Sequence, residues 1–261
     1  MVKKDKGIRP IAVGDVFIRL IGLALLEKHS DAIKRRFDRF QFAMAFENGL
    51  ETVVHSIRRL CHEDENLFVC TIDARNAFNS ASRAKMAQEL LTHSTFSRLR
   101  PLFKMLYGRE SFLFMEARTE VELVRALILS KEGSRQGCPF GMFLFCLALQ
   151  PILEKLQILN PACRFFAIAD DVTIVGPQDA MKKAIIDTRT LLKEIGLDVN
   201  LSKCELFGSF DISTEIFGDN EKPVFSSSSI HLLGCLVARH CLKKQISYCP
   251  SFKNIKYLLN A

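Results

Sequence analysis

Several features that would assign this 261-residue chain to a familiar class are missing from its sequence. None of its nine cysteines forms a CxxC pair. A late group of Cys and His residues fits no standard zinc-ligand spacing: His231, Cys235, His240, Cys241 and Cys249. The longest apolar run, Met142–Leu149, is too short to span a bilayer, and the N-terminus lacks the apolar segment of a secretory signal. We therefore expect an intracellular protein with reduced thiols, without a zinc site and without a membrane partner.

The composition is that of an ordinary globular domain, with 48% hydrophobic and 25% charged residues. The formal net charge is +7. Residues 1–60 and 221–261 are each net basic, whereas residues 61–220 are slightly acidic. Basic flanks suit a polyanion such as nucleic acid, and an acidic centre suits bound cations. An uneven surface charge without functional meaning explains the same distribution, so charge alone does not decide the function.

Helix-start signals precede several periodic apolar stretches. Four residues are expected to cap helices: Asp15 before Val16–Lys28, Asn48 before a helix through about Leu60, Ser82 before one through Thr92, and Asp179 before Ala180–Ile195. On the second of these helices, Leu50, Val53, Val54, Ile57 and Leu60 share one face. A further helix from about Met142 is apolar on nearly all sides and should be buried. Gly196 is the expected stop of the last helix.

Short runs rich in β-forming residues predict the strands. They are Leu67–Ile72, a pair formed by Ser111–Glu116 and Val121–Ser130, a hairpin formed by Phe165–Ala169 and Val172–Gly176, and one strand within Ile230–Val237. The order of strands and helices predicts an α+β fold in which helices cover one face of an antiparallel sheet.

The sharpest chemical signal is the pair Asp170-Asp171, which separates two apolar runs. Adjacent carboxylates in apolar surroundings are costly unless a cation compensates them, and Mg²⁺ takes one or two carboxylates plus phosphate oxygens. Asp73 ends another apolar strand in the same way. Side by side, these strands would gather the carboxylates around two metal ions roughly 3.5–4 Å apart, an arrangement suited to nucleotidyl transfer. An ordinary exposed aspartate turn is the alternative.

Six motifs, in order over about residues 6–237, resemble those of reverse transcriptases of the non-LTR retrotransposon type. They are Gly7–Val13 (fingers motif), Asp73–Phe78 (first metal-binding motif), Gly133–Pro139 leading into Leu144-Phe145 (template and nucleotide loop), Ala169–Asp171 (metal-binding hairpin), Gly196-Leu197 with Asn200 and Lys203 (next palm motif), and Leu232–Gly234 (primer grip). Each motif is weak by itself, but their order and spacing make the resemblance specific.

The resemblance implies a role for each matching residue. Asp73, Asp170 and Asp171 would be catalytic and would bind two Mg²⁺ ions together with Ala74, with Mn²⁺ as a substitute. Among the nucleotide-binding residues, Arg9 would clamp the triphosphate and Phe78 would act as a steric gate against the 2′-hydroxyl. Gln136 and Gly137 would line the nucleotide and template pocket. Lys203 would act as a general acid near the triphosphate. Leu233 and Gly234 would form the primer grip. The individual alternatives are a solvated Arg9, a core Phe78, a plain turn at Gly137 and a surface Lys203.

The resemblance also implies a right-hand polymerase palm. We expect partial fingers over residues 1–62, a palm with inserted fingers elements over 63–237, and the truncated start of a thumb or connection over 238–261. Most of the fingers and thumb are expected to be missing, as in the core of a larger polyprotein or a degraded copy of one. Two positions depart from the family pattern: Ile168 replaces the usual Tyr or Phe, and Ala43 replaces a Gly that would accommodate a positive φ.

The expected function is therefore that of an RNA-directed DNA polymerase core acting in retrotransposition. Its partners would be an RNA template, a DNA primer or target DNA, and dNTPs, and target-primed insertion would require action in the nucleus. Three alternatives stay open: a maturase-like protein that only binds RNA, an inactive remnant of an element, and a palm-fold nucleotidyl cyclase. The cyclase would need neither the Gln136-Gly137 loop nor the basic flanks.

Overall fold

The computed structural model describes residue 12 and residues 14–118, 123–212 and 222–238. The chain divides into two compact units. Unit 1 comprises residues 1–32 and 76–148, and unit 2 comprises residues 33–75 and 149–261. The division into residues 1–62, 63–237 and 238–261 expected from the sequence stays a prediction, and residues 239–261 lie outside the described residues.

The helices and strands follow one another in mixed order along the chain. The helices are α1 (Val16–Lys28), α2 (Ser30–Phe37), α3 (Phe42–Ala45), α4 (Gly49–Glu63), α5 (Ala77–Ser80), α6 (Arg83–Thr92), α7 (Ser94–Ser97), α8 (Arg100–Tyr107), α9 (Pro139–Leu159) and α10 (Gln178–Lys193). The strands are β1 (Phe68–Ile72), β2 (Ser111–Arg118), β3 (Leu123–Ser130), β4 (Arg164–Ile168), β5 (Asp171–Gly176), β6 (Glu205–Phe207), β7 (Val224–Ser226), β8 (Ser229–Leu232) and β9 (Cys235–Ala238). A 3₁₀ turn spans Leu201–Lys203.

Unit 2 is built on a five-stranded sheet of order β4-β5-β1-β6-β7. The pairs β4–β5, β5–β1 and β1–β6 are antiparallel, as the sequence predicts. The edge pair β6–β7 is parallel, so the sheet is mixed rather than wholly antiparallel. The architecture is otherwise the expected α+β one.

Both faces of the central strands are covered, which goes beyond the one-sided layer expected from the sequence. Five consecutive residues of β5, Val172–Gly176, are buried, and consecutive residues of a strand point to opposite faces of the sheet. On one face, α4 and the β8–β9 hairpin pack against the strands in a core cluster that includes Ile57, Val69, Phe166 and Val237.

Unit 1 contains helices and the two-stranded sheet β2–β3, which confirms the predicted strand pair. The guanidinium of Arg83 is buried and ties the start of α6 to the end of β3 and the following loop. It donates to the carbonyls of Gly133 (2.9 Å) and Ser130 (3.2 Å) and to the Ser130 hydroxyl (2.8 Å). Burial lowers the pKa of Arg83, and the neighbouring charge of Arg135 lowers it further.

Several helix-end predictions are confirmed in atomic detail. The Asp15 carboxylate accepts a hydrogen bond from the Phe17 amide at 2.9 Å, and the Ser82 hydroxyl accepts one from the Lys85 amide at 3.4 Å. Gly196 adopts a φ of +80°, and the Leu197 amide donates to the Leu192 carbonyl. This bond closes the end of α10 around a left-handed glycine.

Other boundaries differ from the predictions. Pro177 is the N-cap of α10 and Asp179 lies in its first turn, because proline is compatible with the extended backbone before a helix. Leu50 is 41% exposed and is not part of the core face of α4. Ala43 lies within α3 and has no positive φ, so the strain anticipated there does not arise. The single strand expected within residues 230–237 is instead the β8–β9 hairpin.

Helix α9 is the one helix among the described residues that is long and apolar enough to cross a membrane by length and composition. Its most apolar window is 61% buried inside the fold, in agreement with the buried helix predicted from about Met142. Among the described residues the cysteines are thiols rather than disulfides.

Candidate active site

The pairing of β1 with β5 brings two of the predicted aspartates to the same end of the sheet. Ile72 pairs with Val172 in antiparallel register. Asp73 follows Ile72 along the chain and Asp171 precedes Val172, so the two carboxylates lie one position beyond that pair on neighbouring strands. Asp73 is half-buried and Asp171 is exposed, which leaves both side chains accessible from solvent.

The hairpin that carries the aspartate pair turns one residue earlier than the sequence suggested. Ile168 pairs with Asp171 across β4 and β5, so the two-residue loop is Ala169-Asp170. Asp171 is the first residue of β5, and Asp170, which is half-buried, occupies the loop. The two carboxylates therefore stand at different positions of the hairpin rather than together at its tip.

Asp73 and Asp171 line a cavity of about 220 Å³. Its other lining residues come from the ends of the central strands, from the 3₁₀ turn and from β8: Thr71, Ile72, Val172, Thr173, Lys203, Glu205, His231, Leu232 and Leu233. The cavity thus combines three carboxylate side chains, those of Asp73, Asp171 and Glu205, with one lysine and one histidine. Carboxylates in such a cavity would hold divalent cations, which would supply charge neutralisation for an anionic substrate.

The backbone of Asp73 is fixed on both sides by the segment that follows α10. The Asp73 amide donates to the Cys204 thiol sulfur at 3.4 Å, and the Asp73 carbonyl accepts from the Asn200 amide at 2.8 Å. The Lys203 amide in turn donates to the Asn200 carbonyl at 2.9 Å. Lys203 and Asp73 are therefore held by one continuous set of backbone hydrogen bonds.

Burial keeps the thiol beneath Asp73 protonated. Burial raises the pKa of Cys204 to about 11, although the hydrogen bond from the Asp73 backbone amide acts to lower it. The pKa of the neighbouring Cys70 thiol is also raised, first by burial and then by Cys204. These groups are therefore neutral at physiological pH and act as packing and hydrogen-bonding groups rather than as nucleophiles.

The donor set around the cavity fits a hard divalent cation. Mg²⁺ binds through one or two protein carboxylates and completes its coordination with water and phosphate oxygens, and Asp73 and Asp171 supply two such carboxylates. Within the described ranges, no group of three or more His, Cys, Asp or Glu side chains is arranged to hold a metal ion. Ala74, the other predicted metal-binding position, forms an isolated bridge with Val199.

The predicted nucleotide-pocket residues that the structure describes lie in unit 1, except Lys203. The half-buried Phe78 stacks on Phe145, with ring centroids 4.5 Å apart. Its carbonyl accepts from the Ser134 amide at 2.7 Å, so the loop that leads to Gln136 and Gly137 is joined to α5. Gly137 is exposed with a φ of +99°, a conformation that glycine adopts without strain.

The primer-grip residues form the turn of the β8–β9 hairpin. Leu233 has a φ of +53° and Gly234 a φ of +82°. Positive φ at both central residues is typical of the two-residue turns that join twisted antiparallel strands. Leu233 lines the same cavity as the aspartates. Arg9, the predicted triphosphate clamp, lies outside the described residues, as do His240, Cys241 and Cys249 of the late Cys and His group.

Three residues support the aspartates through backbone hydrogen bonds to Asp73 or Ala169: Gln41, Asn200 and Cys204. Asn200 belongs to a motif identified in the sequence, whereas Gln41 and Cys204 have no assigned role there. The sequence signal at Gln41 is a polar residue directly before the apolar Phe42. Nothing in the local pattern around Cys204 distinguished that thiol from the other buried cysteines.

Comparison with known proteins finds a family model that covers most of this chain. The family model described as "Reverse transcriptase (RNA-dependent DNA polymerase)" matches residues 1–237. The chain is 26% identical over 208 residues to the retrotransposable element SLACS 132 kDa protein of Trypanosoma brucei gambiense. That match covers 79% of this chain and 17% of the relative, so the chain spans about a sixth of the length of that protein.

Solved structures with a similar fold are also polymerases. Apo telomerase of Candida tropicalis, truncated from its C-terminal domain, matches with a TM-score of 0.53 and 10% identity over 85% of this chain and 43% of the telomerase chain. The BmCPV RNA-dependent RNA polymerase at its elongation state matches with a TM-score of 0.52 and 12% identity over 90% of this chain and 20% of that chain. At such low identity these likenesses show the fold alone, which is that of a polymerase palm.

Proposed function

Since this chain belongs to the reverse transcriptase (RNA-dependent DNA polymerase) family, we propose that it is the polymerase core of a retrotransposable element. It would add dNTPs to the 3′-hydroxyl of a DNA primer under the direction of an RNA template. The observation that carries this proposal is the register of β1 and β5, which sets Asp73 and Asp171 at one end of the sheet beside Lys203. The relative named as a retrotransposable element protein supports the biological setting.

Asp73 and Asp171, together with the adjacent Asp170, would hold the divalent ions, with Mg²⁺ as the expected metal and Mn²⁺ as a substitute. Bound there, two ions would supply charge neutralisation for the triphosphate and activation of the primer hydroxyl. The protein's own contribution is to orient the reacting groups before the reaction, and orientation with preorganised charge provides most of the rate in phosphoryl-group chemistry.

The remaining residues would act on the nucleotide and the primer. Lys203 would donate a proton to the leaving pyrophosphate. Phe78 would exclude ribonucleotides through a clash with the 2′-hydroxyl, while Gln136 and Gly137 would contact the nucleotide and the template. Arg9 would clamp the triphosphate, and the turn formed by Leu233 and Gly234 would support the primer end. Target-primed insertion of this kind would take place in the nucleus.

The role of the carboxylates is tested with Asp171→Asn and a matched control, Asp179→Asn. Asp179 is an exposed carboxylate in the first turn of α10, in the same unit but outside the cavity. We expect Asp171→Asn to abolish extension of a DNA primer on an RNA template and to leave binding of the RNA–DNA duplex nearly unchanged. The control should extend the primer like the unsubstituted chain. Equal extension by Asp171→Asn would refute the assignment.

A further inference from the structure

Gln41 is a fully buried polar residue that the proposed mechanism does not use. Its side chain is 0% exposed. The amide Nε2 donates to the Ala169 carbonyl at 3.0 Å, and the Ala169 amide donates to Oε1 at 3.1 Å. The side-chain amide of Gln41 therefore hydrogen-bonds to both backbone polar groups of Ala169, the residue directly before Asp170.

The residue held in this way has a strained backbone. Ala169 has a φ of +55° and is the first residue of the two-residue loop between β4 and β5. Hairpin loops of this length favour glycine at a position with positive φ. The left-handed conformation is unfavourable for a residue with a Cβ, because the Cβ lies too close to the following carbonyl oxygen. The paired hydrogen bonds from Gln41 offset that cost and fix the loop in one conformation.

Gln41 is itself anchored from both directions. The backbone N–H of Gln41 donates to the Phe37 carbonyl at 3.1 Å, and the backbone carbonyl of Gln41 accepts from the backbone amides of Met44 and Ala45. It also forms a parallel bridge with Ala167 of β4. Gln41 is the N-cap of α3, but its side chain makes no capping hydrogen bond. The side-chain amide is hydrogen-bonded to the backbone of Ala169 instead.

We propose that Gln41 is a positioning residue that fixes the Ala169-Asp170 loop and thereby the two aspartates that follow it. This inference rests on the proposed function, since the aspartates matter only if they serve the polymerase reaction. A planar amide suits the position because it carries one donor and one acceptor side by side. An ionised glutamate lacks the donor, and methionine lacks both groups.

The test compares Gln41→Met with Gln88→Met, a matched change at an exposed glutamine of α6. In Gln41→Met the kcat of primer extension should fall about 10- to 100-fold, the usual effect of losing a supporting residue behind a metal-binding group. Binding of the RNA–DNA duplex should change less than twofold, and Gln88→Met should match the unsubstituted chain. In Gln41→Glu the kcat should fall at least as far, because an ionised carboxylate would place an acceptor against the Ala169 carbonyl.

A second substitution separates positioning from general destabilisation. Glycine adopts positive φ without the steric cost, so Ala169→Gly should make the loop less dependent on the glutamine. We expect Gln41→Met combined with Ala169→Gly to recover most of the lost kcat. Thermal unfolding of each variant shows whether the chain still folds. A loss of kcat that the second change does not restore would overturn the proposal.

Hydrogen exchange of the Ala169 amide gives a result that does not depend on activity. Gln41→Met should expose this amide to exchange while the other amides of β4 and β5 stay protected, and Gln88→Met should leave it protected. Equal protection in all variants would refute the proposal even if extension were lost. If the unsubstituted chain does not extend a primer, the proposed function fails, but the exchange rates still decide whether Gln41 holds the loop.

Discussion

Part of the backbone strain in this protein lies in the loop before Asp171 and in the hairpin turn that lines the cavity. Among the described residues, those with positive φ other than glycine are Arg39, Asn76, Ala169 and Leu233. Asn76 stands between Asp73 and Phe78, Ala169 precedes Asp170, Leu233 lines the cavity, and Arg39 lies two residues before Gln41. Conformations of this kind cost about 1–3 kcal/mol each and persist only where the surrounding structure fixes them. At Ala169 and Leu233 the strained backbone therefore coincides with the loop and the cavity proposed to carry the reaction.

Phe78 provides a prediction about sugar selectivity. Replacing Phe78 with alanine removes the ring that would clash with a 2′-hydroxyl, so the ratio of ribonucleotide to deoxynucleotide incorporation should rise. The measurement is kcat/KM for a matched rNTP and dNTP on the same RNA template. Phe114→Ala is the control because that ring is 90% exposed in β2. An unchanged ratio in Phe78→Ala would exclude the gate role and leave Phe78 as a packing partner of Phe145.

Elements with local capping signals were predictable from the sequence, whereas turns that depend on tertiary contacts were not. The starts of α1 and α6 matched because Asp15 and Ser82 supply oxygen atoms to nearby amides. The β8–β9 hairpin was predicted as one strand, because its turn uses Leu233 rather than the usual Asn or Asp before glycine. The loop before Asp171 was placed one residue late, because Gln41 permits Ala169 to take a conformation that its sequence does not indicate.

The backbone contacts of Gly133 predict that this glycine tolerates a side chain less well than Gly234 does. Gly133 has a φ of +71°, and an added Cβ would lie 2.3 Å from the carbonyl oxygen of Phe78 and the carbonyl carbon of Asn79. Gly234 has a φ of +82° but open space around its Cβ position. Both substitutions to alanine incur a conformational cost of about 1–2 kcal/mol. Only Gly133→Ala adds a backbone collision, which typically costs another 1–3 kcal/mol or more.

Urea unfolding of the two glycine variants measures this difference directly. We expect Gly133→Ala to lower the free energy of unfolding by clearly more than Gly234→Ala does. Equal decreases in the free energy of unfolding for the two variants would show that α5 does not restrict the space around Gly133.

At the scale of the whole molecule, the polymerase palm fold follows from an ordered set of motifs that the sequence displays, but the sheet order does not. Apolar runs identified β1, β4 and β5, and the aspartates at their ends indicated that these strands lie together, which the register confirms. The order β4-β5-β1-β6-β7 and the parallel β6–β7 pair depend on contacts between distant segments. Strands of three residues such as β6 and β7 are too short to show a periodic pattern.

The net charge of +7 and the basic flanks predict how the chain binds nucleic acid. If lysines and arginines neutralise phosphates, the logarithm of the association constant for an RNA–DNA duplex should fall linearly with the logarithm of the salt concentration. The slope should be about 0.7–0.9 in magnitude for each phosphate contacted. Fluorescence anisotropy between 50 and 200 mM salt, roughly the range over which such binding weakens most visibly, provides the measurement. An affinity independent of salt would contradict a binding surface formed by the basic flanks.

Template-directed incorporation is the most direct test of the proposed polymerase activity. A DNA primer annealed to an RNA template is incubated with this chain, Mg²⁺ or Mn²⁺, and one dNTP at a time opposite a known template base. We expect that only the complementary dNTP is added and that addition requires the divalent metal. Binding of the duplex without any incorporation would contradict the proposed function and would indicate a protein that binds RNA without copying it.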